Sequence, residues 1–271
     1  MEIVYLRMKS TEETRSYHYT KYYPPKPLEE HVKFFYSFKS DSETMERVLP
    51  TGSSEITIRV NRPIAEDDIL IVNPATTFMT EKPKDLGEII GACFYPWGFH
   101  DLFKIPPSEV LNQKLLLADV VSPGFKKLLD LAKGECDNLS MIRTLQRYLL
   151  SRLSHKSNSI IRDAVNYINH QKGQLDLHIL YKRYNISERR FQQLFKTSIG
   201  MTPKRYCLLK KFHSAVTLLT RQTNLTDLGL SLDYYDQAHF IHEFKSFAGI
   251  CPSSLIKESN FLNEINAEAY F

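Results

Sequence analysis

The strongest constraint on the fold is a repeat near the C-terminus. Arg189–Pro203, RRFQQLFKTSIGMTP, overlays Ala238–Pro252, AHFIHEFKSFAGICP, at an offset of 49 residues. Phe191, Phe195, Lys196, Gly200 and Pro203 match Phe240, Phe244, Lys245, Gly249 and Pro252. Each shared feature has a physical reason. Ser187 and Asp236 stand where a helix N-cap accepts from the first orphan N–H groups. Phe residues four apart form a buried stripe. A glycine then ends the helix in the left-handed conformation, and a proline suits the first turn of the next. One small helical module is built twice.

The periodicity that buries the Phe pairs turns other residues outward. In the first copy these are Arg189, Gln192, Gln193 and Lys196; in the second, Ala238, Ile241, His242 and Lys245, with Gln237 beside them. Arg and Gln can make bidentate hydrogen bonds to guanine and adenine edges in a major groove. A helix with such a face and short flanking helices matches a helix-turn-helix, the paired copies expected to read double-stranded DNA. Pro203–Leu219 links them, with Leu208, Phe212, Ala215 and Leu219 as one apolar face. As a helix it spans about 25 Å, of the order of one DNA turn, about 34 Å.

Charge points the same way. Residues 182–213 hold nine Lys or Arg against Glu188 alone, whereas 1–156 hold 21 of each sign and 214–271 hold three cations against seven anions. A local excess of this size suits a polyanion, although a solvated helical face would also account for it. Lys196, Lys204, Arg205 and Lys245 are the expected phosphate contacts.

The preceding half reads differently. SSEITIRV, DDILIVNP and GEIIGACFYP are strand-length and β-branched, and prolines from Pro24 to Pro96 forbid long helices. After Pro107, SEVLNQKLLLADVV, GFKKLLDLAKG and LSMIRTLQRYLLSRLS read as helices, with Ser108 and Ser140 as candidate caps. The polar stretch SHKSNS, Ser154–Ser159, marks a boundary. The expectation is a two-domain α+β chain: residues 1–156 β-rich with C-terminal helices, and 157–271 all-α with two helix-turn-helix units. With 42% apolar and 24% charged residues the chain can bury a core, and no apolar run is long enough to span a membrane. The first residues lack a signal-peptide pattern, and Cys93, Cys136, Cys207 and Cys251 form no close pairs. Both suit free thiols in a cytoplasm.

ISERRFQQLFKTSIGMTPKRY and DYYDQAHFIHEFKSFAGICP resemble the AraC-type transcription regulators over roughly residues 160–256. The resemblance implies a bacterial regulator with two helix-turn-helix units joined by a long helix. Carried over position by position, it implies base contacts at Arg189, Gln192, Gln193, Gln237, Ala238, Ile241 and His242. Asp233-Tyr234 replaces the family's usual Gly-Phe, and Tyr181 stands where a small residue is usual. RVLPTGSSEITIRV and GACFYPWGFHDLFKIPPSEV resemble an N-terminal domain of some family members. There the family implies a small cupin-like β-barrel with appended helices that senses an effector, dimerises, or both. RNA polymerase is the further partner it implies.

Other features are read two ways. FYPWGFH holds Tyr95, Trp97 and Phe99, which would line an apolar ligand site or pack in the core. Leu145, Leu149 and Leu153 would form a homodimer stripe or bury against their own domain. His239, His242 and Cys251 superficially suggest zinc, but His239 is expected in the core and His242 facing DNA; no metal or other cofactor is expected. The rival functions are a cupin-type enzyme with a helical appendage and a weakly specific architectural DNA-binding protein.

Overall fold

The computed structural model describes residues 5–8, 17–43, 45–60, 63–73, 76–135, 137–153, 159–219, 224–255 and 257. Nine strands come first: β1 (Tyr5–Met8), β2 (Tyr17–Tyr22), β3 (Val32–Ser40), β4 (Glu46–Val48), β5 (Glu55–Arg59), β6 (Ile69–Val72), β7 (Met79–Glu81), β8 (Glu88–Phe94) and β9 (Lys114–Leu116). Seven form an antiparallel sheet in the order β1-β2-β3-β8-β5-β6-β9, and β4 pairs with β7 as a separate ribbon. The three strands anticipated from sequence are β5, β6 and β8, side by side in that sheet. Strand β3 was not among them; Phe34, Tyr36 and Phe38 are buried on one of its faces, and Val32 and Phe35 in the core on the other, while Lys39 is exposed.

One face of the sheet, with Phe35, Ile56, Ile58, Ile69, Ile71 and Ile90, packs with the helical layer. That layer follows α1 (Pro83–Leu86) and comprises α2 (Gly98–Phe103), α3 (Leu117–Val120), α4 (Ser122–Lys133) and α5 (Asn138–Leu150). Two expectations change here, and one pair of alternatives is narrowed. The stretch from Ser108 is not one helix: a 3₁₀ turn at Pro107–Val110 leads to Asn112 at φ 56°, and Lys114–Leu116 then adds an edge strand to β6. Its contiguous leucines fit either element, and the open sheet edge decided. Ser140 is not a cap; Asp137 is, its Oδ1 accepting from Ser140 N at 2.9 Å. Leu145 and Leu149 are fully buried in this core and Leu153 packs on it, so the stripe serves its own domain and not a homodimer.

The second half is helical: α6 (Ser159–His170), α7 (His178–Arg183), α8 (Glu188–Ile199), α9 (Pro203–Leu219), α10 (Leu225–Ser231), α11 (Gln237–Ala248) and α12 (Pro252–Leu255). The repeat is built as its sequence requires. Ser187 Oγ accepts from Arg190 N at 3.3 Å, and Asp236 Oδ1 from His239 N at 2.7 Å. Gly200 and Gly249 end α8 and α11 at φ 87° and 75°. Phe191, Phe195, Phe240 and Phe244 are buried in one core. Helix α9 departs from its expected single apolar face. Leu208 is half-buried, while Tyr206, Leu209, Lys210, His213 and Ser214 are buried as well.

The reason is that α9 is wedged between the two units and the N-terminal half. Leu49 and Trp97 join the C-terminal core. His213 Nε2 donates to Pro50 O at 2.8 Å, and Arg162 pairs with Glu30. Both repeat glycines are docking points. A Cβ on Gly200 would lie 2.9 Å from Ser108 N, and one on Gly249 2.2 Å from the Phe78 ring. Phe78 N also donates to Phe247 O at 2.9 Å. The two halves therefore share packed surface, although the chain boundary expected at 156/157 lies outside the described residues.

Candidate nucleic-acid interface

Helix α8 holds a polar face opposite Phe191 and Phe195. Arg189, Gln192, Gln193 and Lys196 are all exposed. Gln192 is held in place: its Nε2 donates to Glu188 Oε1 at 2.9 Å, and its amide hydrogen-bonds the Tyr181 hydroxyl. Burial raises the pKa of that phenol, so it stays protonated and neutral. Arg190 Nη1 donates to Gln193 Oε1 at 3.4 Å. Glu188 and Tyr181 were not singled out from sequence as positioning residues. The i, i+4 spacing of Glu188 and Gln192 was the available signal.

The flank of α8 meets the N-terminal half. Arg190, Gln193 and Thr197 share a groove with His100, Asp101 and Lys104 at the end of α2. Gln193 therefore lies where the outward face and the inter-half groove meet.

The second unit presents a less polar face. Gln237, Ala238 and His242 are exposed, and Gln237 Oε1 accepts from Thr226 Oγ1 at 3.1 Å. Ile241 is half-buried against the C-terminal core. His239, expected in the core, is exposed instead, its ring edge-on to Tyr234 at 5.4 Å. Tyr234 fills the core position beside it and leaves the imidazole outside.

Of the expected phosphate contacts, Lys196, Lys204 and Lys245 are exposed. Arg205 is placed differently. Its guanidinium lies 3.8 Å over the Phe247 ring and donates to Thr76 O at 3.1 Å and Ser246 Oγ at 3.3 Å. It is a strut between the halves rather than a cation standing at the surface. Arg205 is half-buried and Lys210 buried, so the basic run is only partly a surface feature.

The aromatic cluster does not converge on a ligand site. Tyr95 stacks on Trp97 at 5.1 Å, and Trp97, whose ring joins the C-terminal core, donates from Nε1 to Glu30 O at 2.8 Å. Phe99 lies in the other core, 5.0 Å from Phe103. Among the described residues no group of three or more His, Cys, Asp or Glu could hold a metal ion. No helix there is long and apolar enough to cross a membrane.

Residues 180–258, which include both capped modules, match the family model described as a helix-turn-helix domain. Residues 180–258 are thus a helix-turn-helix domain. Residues 20–116, most of the sheet that packs against this domain, match a domain of unknown function (DUF6597). Curated relatives of this chain include an uncharacterized HTH-type transcriptional regulator of Haemophilus influenzae, 32% identical over 90 residues, or 32% of this chain and 30% of that protein. Another is the uncharacterized HTH-type transcriptional regulator YidL of Escherichia coli, 33% identical over 75 residues, or 27% of this chain and 25% of that protein. The chain thus spans less than a third of the length of these relatives. Among solved structures, ToxT of Vibrio cholerae is 9% identical, with 89% of this chain and 97% of that chain covered and a TM-score of 0.38. The C-terminal domain of AraT, a response regulator from Geobacillus stearothermophilus, is 21% identical, with 38% and 88% covered and a TM-score of 0.35. Both structural similarities are too low to carry an inference.

Proposed function

We propose that this chain is a sequence-specific regulator of transcription that binds double-stranded DNA through residues 157–271 and is controlled through residues 1–156. The observation that carries the reading is the duplication: two helices capped in the same way, by Ser187 and Asp236, each with an outward face and each packed on α9. Arg189, Gln192 and Gln193 would read bases in the first unit. Lys196, Lys204 and Lys245 would contact phosphates. In the second, Gln237 and His242 would supply the polar contacts. Ala238 and Ile241 would contribute apolar contacts such as those to thymine methyls. Binding, not catalysis, is the proposed role, and the cytoplasm its place. The inter-half packing at Gly200, Gly249 and Arg205 gives the N-terminal half a mechanical hold on both units, through which an effector could act.

The test is base discrimination. Arg189→Ala and Gln193→Ala should each cost about 1–3 kcal/mol of preference for the selected site over single-base variants of it. Variants that protect the same site as sharply as the parent in a footprint would remove these residues from base readout.

A further inference from the structure

The sheet face turned away from α4 and α5 bounds a cavity roofed by the β4–β7 ribbon. Its interior leaves about 110 Å³ open to the centre of a water-sized sphere. The sheet supplies Tyr19, Phe34, Tyr36 and Phe38, and Val48 on the ribbon closes the opposite side. These walls suit an apolar body.

The charged groups of the wall, Glu55, Arg59, Asp68, Glu81 and Lys114, decide what else the ligand carries, and Asp68 is engaged by Ala65 N at 2.9 Å. Lys114 and Glu81 neutralise one another, with Lys114 Nζ donating to both carboxylate oxygens at 3.1 and 3.3 Å. Glu55 is different. Its Oε2 accepts from Tyr36 OH at 2.9 Å, and the Cys93 thiol also hydrogen-bonds it. Lys33 acts on it electrostatically but is not part of the cavity wall. The Tyr36 ring reaches this position by lying across Gly91, where a Cβ would come within 2.2 Å of it. A strand glycine that admits a ring is the mark of such a close approach. The ring of Tyr19 stands 5.7 Å from that of Tyr36, and Phe34 6.2 Å from it. Aromatic faces attract ammonium groups, and this wall already does so: Lys21 Nζ sits 4.4 Å over Phe34. Burial pushes the Glu55 carboxyl above its usual range, with the Tyr36 hydrogen bond and Lys33 opposing. A cation placed before it would favour the carboxylate.

We propose that this cavity binds a small amphipathic amine, its ammonium between Glu55 and the Tyr19–Tyr36 pair and its apolar body against the β4–β7 ribbon. The ribbon also gives the site a route to DNA. Phe78 immediately precedes β7, and it caps the end of α11 through Phe247 and Gly249. An occupant that moves β7 moves the seat of the second unit. That consequence rests on the DNA-binding reading above; the ligand assignment does not.

The experiment uses the full chain without DNA and three probes of one shape: cyclohexylmethylamine as its ammonium, cyclohexanecarboxylate and cyclohexylmethanol. Calorimetric titration should show the amine binding saturably and at least about 10-fold more tightly than the other two, as expected for a charge-assisted hydrogen bond in a sheltered site. Glu55→Gln should bring the amine to the level of the alcohol. A carboxylate that binds as tightly as the amine overturns the proposal in the wild-type protein, whatever the variant's folding. So does a folded Glu55→Gln protein that keeps its preference for the amine. Because binding is read without DNA, its failure is distinct from failure of the DNA-binding reading, which duplex titration reports.

Discussion

Replacing Gly200 by Ala tests whether the N-terminal half grips the first helix-turn-helix unit. Gly200 has φ 87° and sits on the 3₁₀ turn at Pro107–Val110. A Cβ there would lie 2.9 Å from Ser108 N and 3.0 Å from Pro107 C and Cβ. Two costs add. An L side chain in the left-handed region costs about 1–2 kcal/mol. The steric cost is that of overpacking, about 1–3 kcal/mol, because the neighbours are backbone and proline atoms that cannot rotate away. Gly87 separates the two: at φ 64° it pays the first cost, but nothing lies within 4 Å of its Cβ position. Gly87→Ala should therefore lose about 1–2 kcal/mol, and Gly200→Ala about 2–5 kcal/mol. Urea unfolding followed by far-UV circular dichroism measures both. Trp97, the sole tryptophan, is a second probe, since it belongs to the N-terminal half yet packs in the C-terminal core. Its emission should shift in native Gly200→Ala protein and stay unchanged in Gly87→Ala. Equal losses in the two variants, with unchanged emission, would refute the docking of α8 on that turn.

Two more predictions follow from buried groups in the same region. Burial, with repulsion from Lys33 added, holds the Lys210 ammonium well below its usual pKa of 10.5, and His213 Nδ1 lies 3.4 Å away. Between the folded and unfolded values the unfolded chain binds the proton and the folded chain does not, so this group makes stability rise with pH toward about 10. Lys210→Met should raise stability at neutral pH and flatten that slope in denaturant titrations; an unchanged slope would contradict the assignment. Burial pushes the Cys207 thiol up to about 12, and it raises Cys93 further, whereas Cys251 is half-exposed. Mass spectrometry of iodoacetamide-treated native protein should find Cys251 labelled well before the other two. Labelling of Cys207 first would mean that the inter-half surface opens readily.

The C-terminal unit was legible because its signals are local. Caps, Phe spacing, terminal glycines and prolines all act within a few residues, and repetition doubled them. What escaped the sequence depends on partners far along the chain. Arg205 looks like a phosphate contact until Thr76 and Phe247 are seen to enclose it. The residues Lys114–Leu116 became a strand because β6 offered an edge. The candidate ligand cavity was missed for the same reason. Its carboxylate and aromatics come from strands whose adjacency only the sheet order reveals, and the conspicuous cluster at Tyr95, Trp97 and Phe99 proved to be packing.

The central claim is sequence-specific DNA binding, and competition at one fixed salt concentration tests it most directly. A duplex selected from a random pool by the full-length protein is labelled and displaced by either itself or random duplex. The account predicts a preference of at least about 10³ for the selected duplex. With about six phosphates neutralised, log K should fall with log salt at a slope near −5. Equal displacement by the two duplexes, with the salt slope retained, would show a protein that holds the DNA backbone without reading sequence, and would contradict the regulator reading.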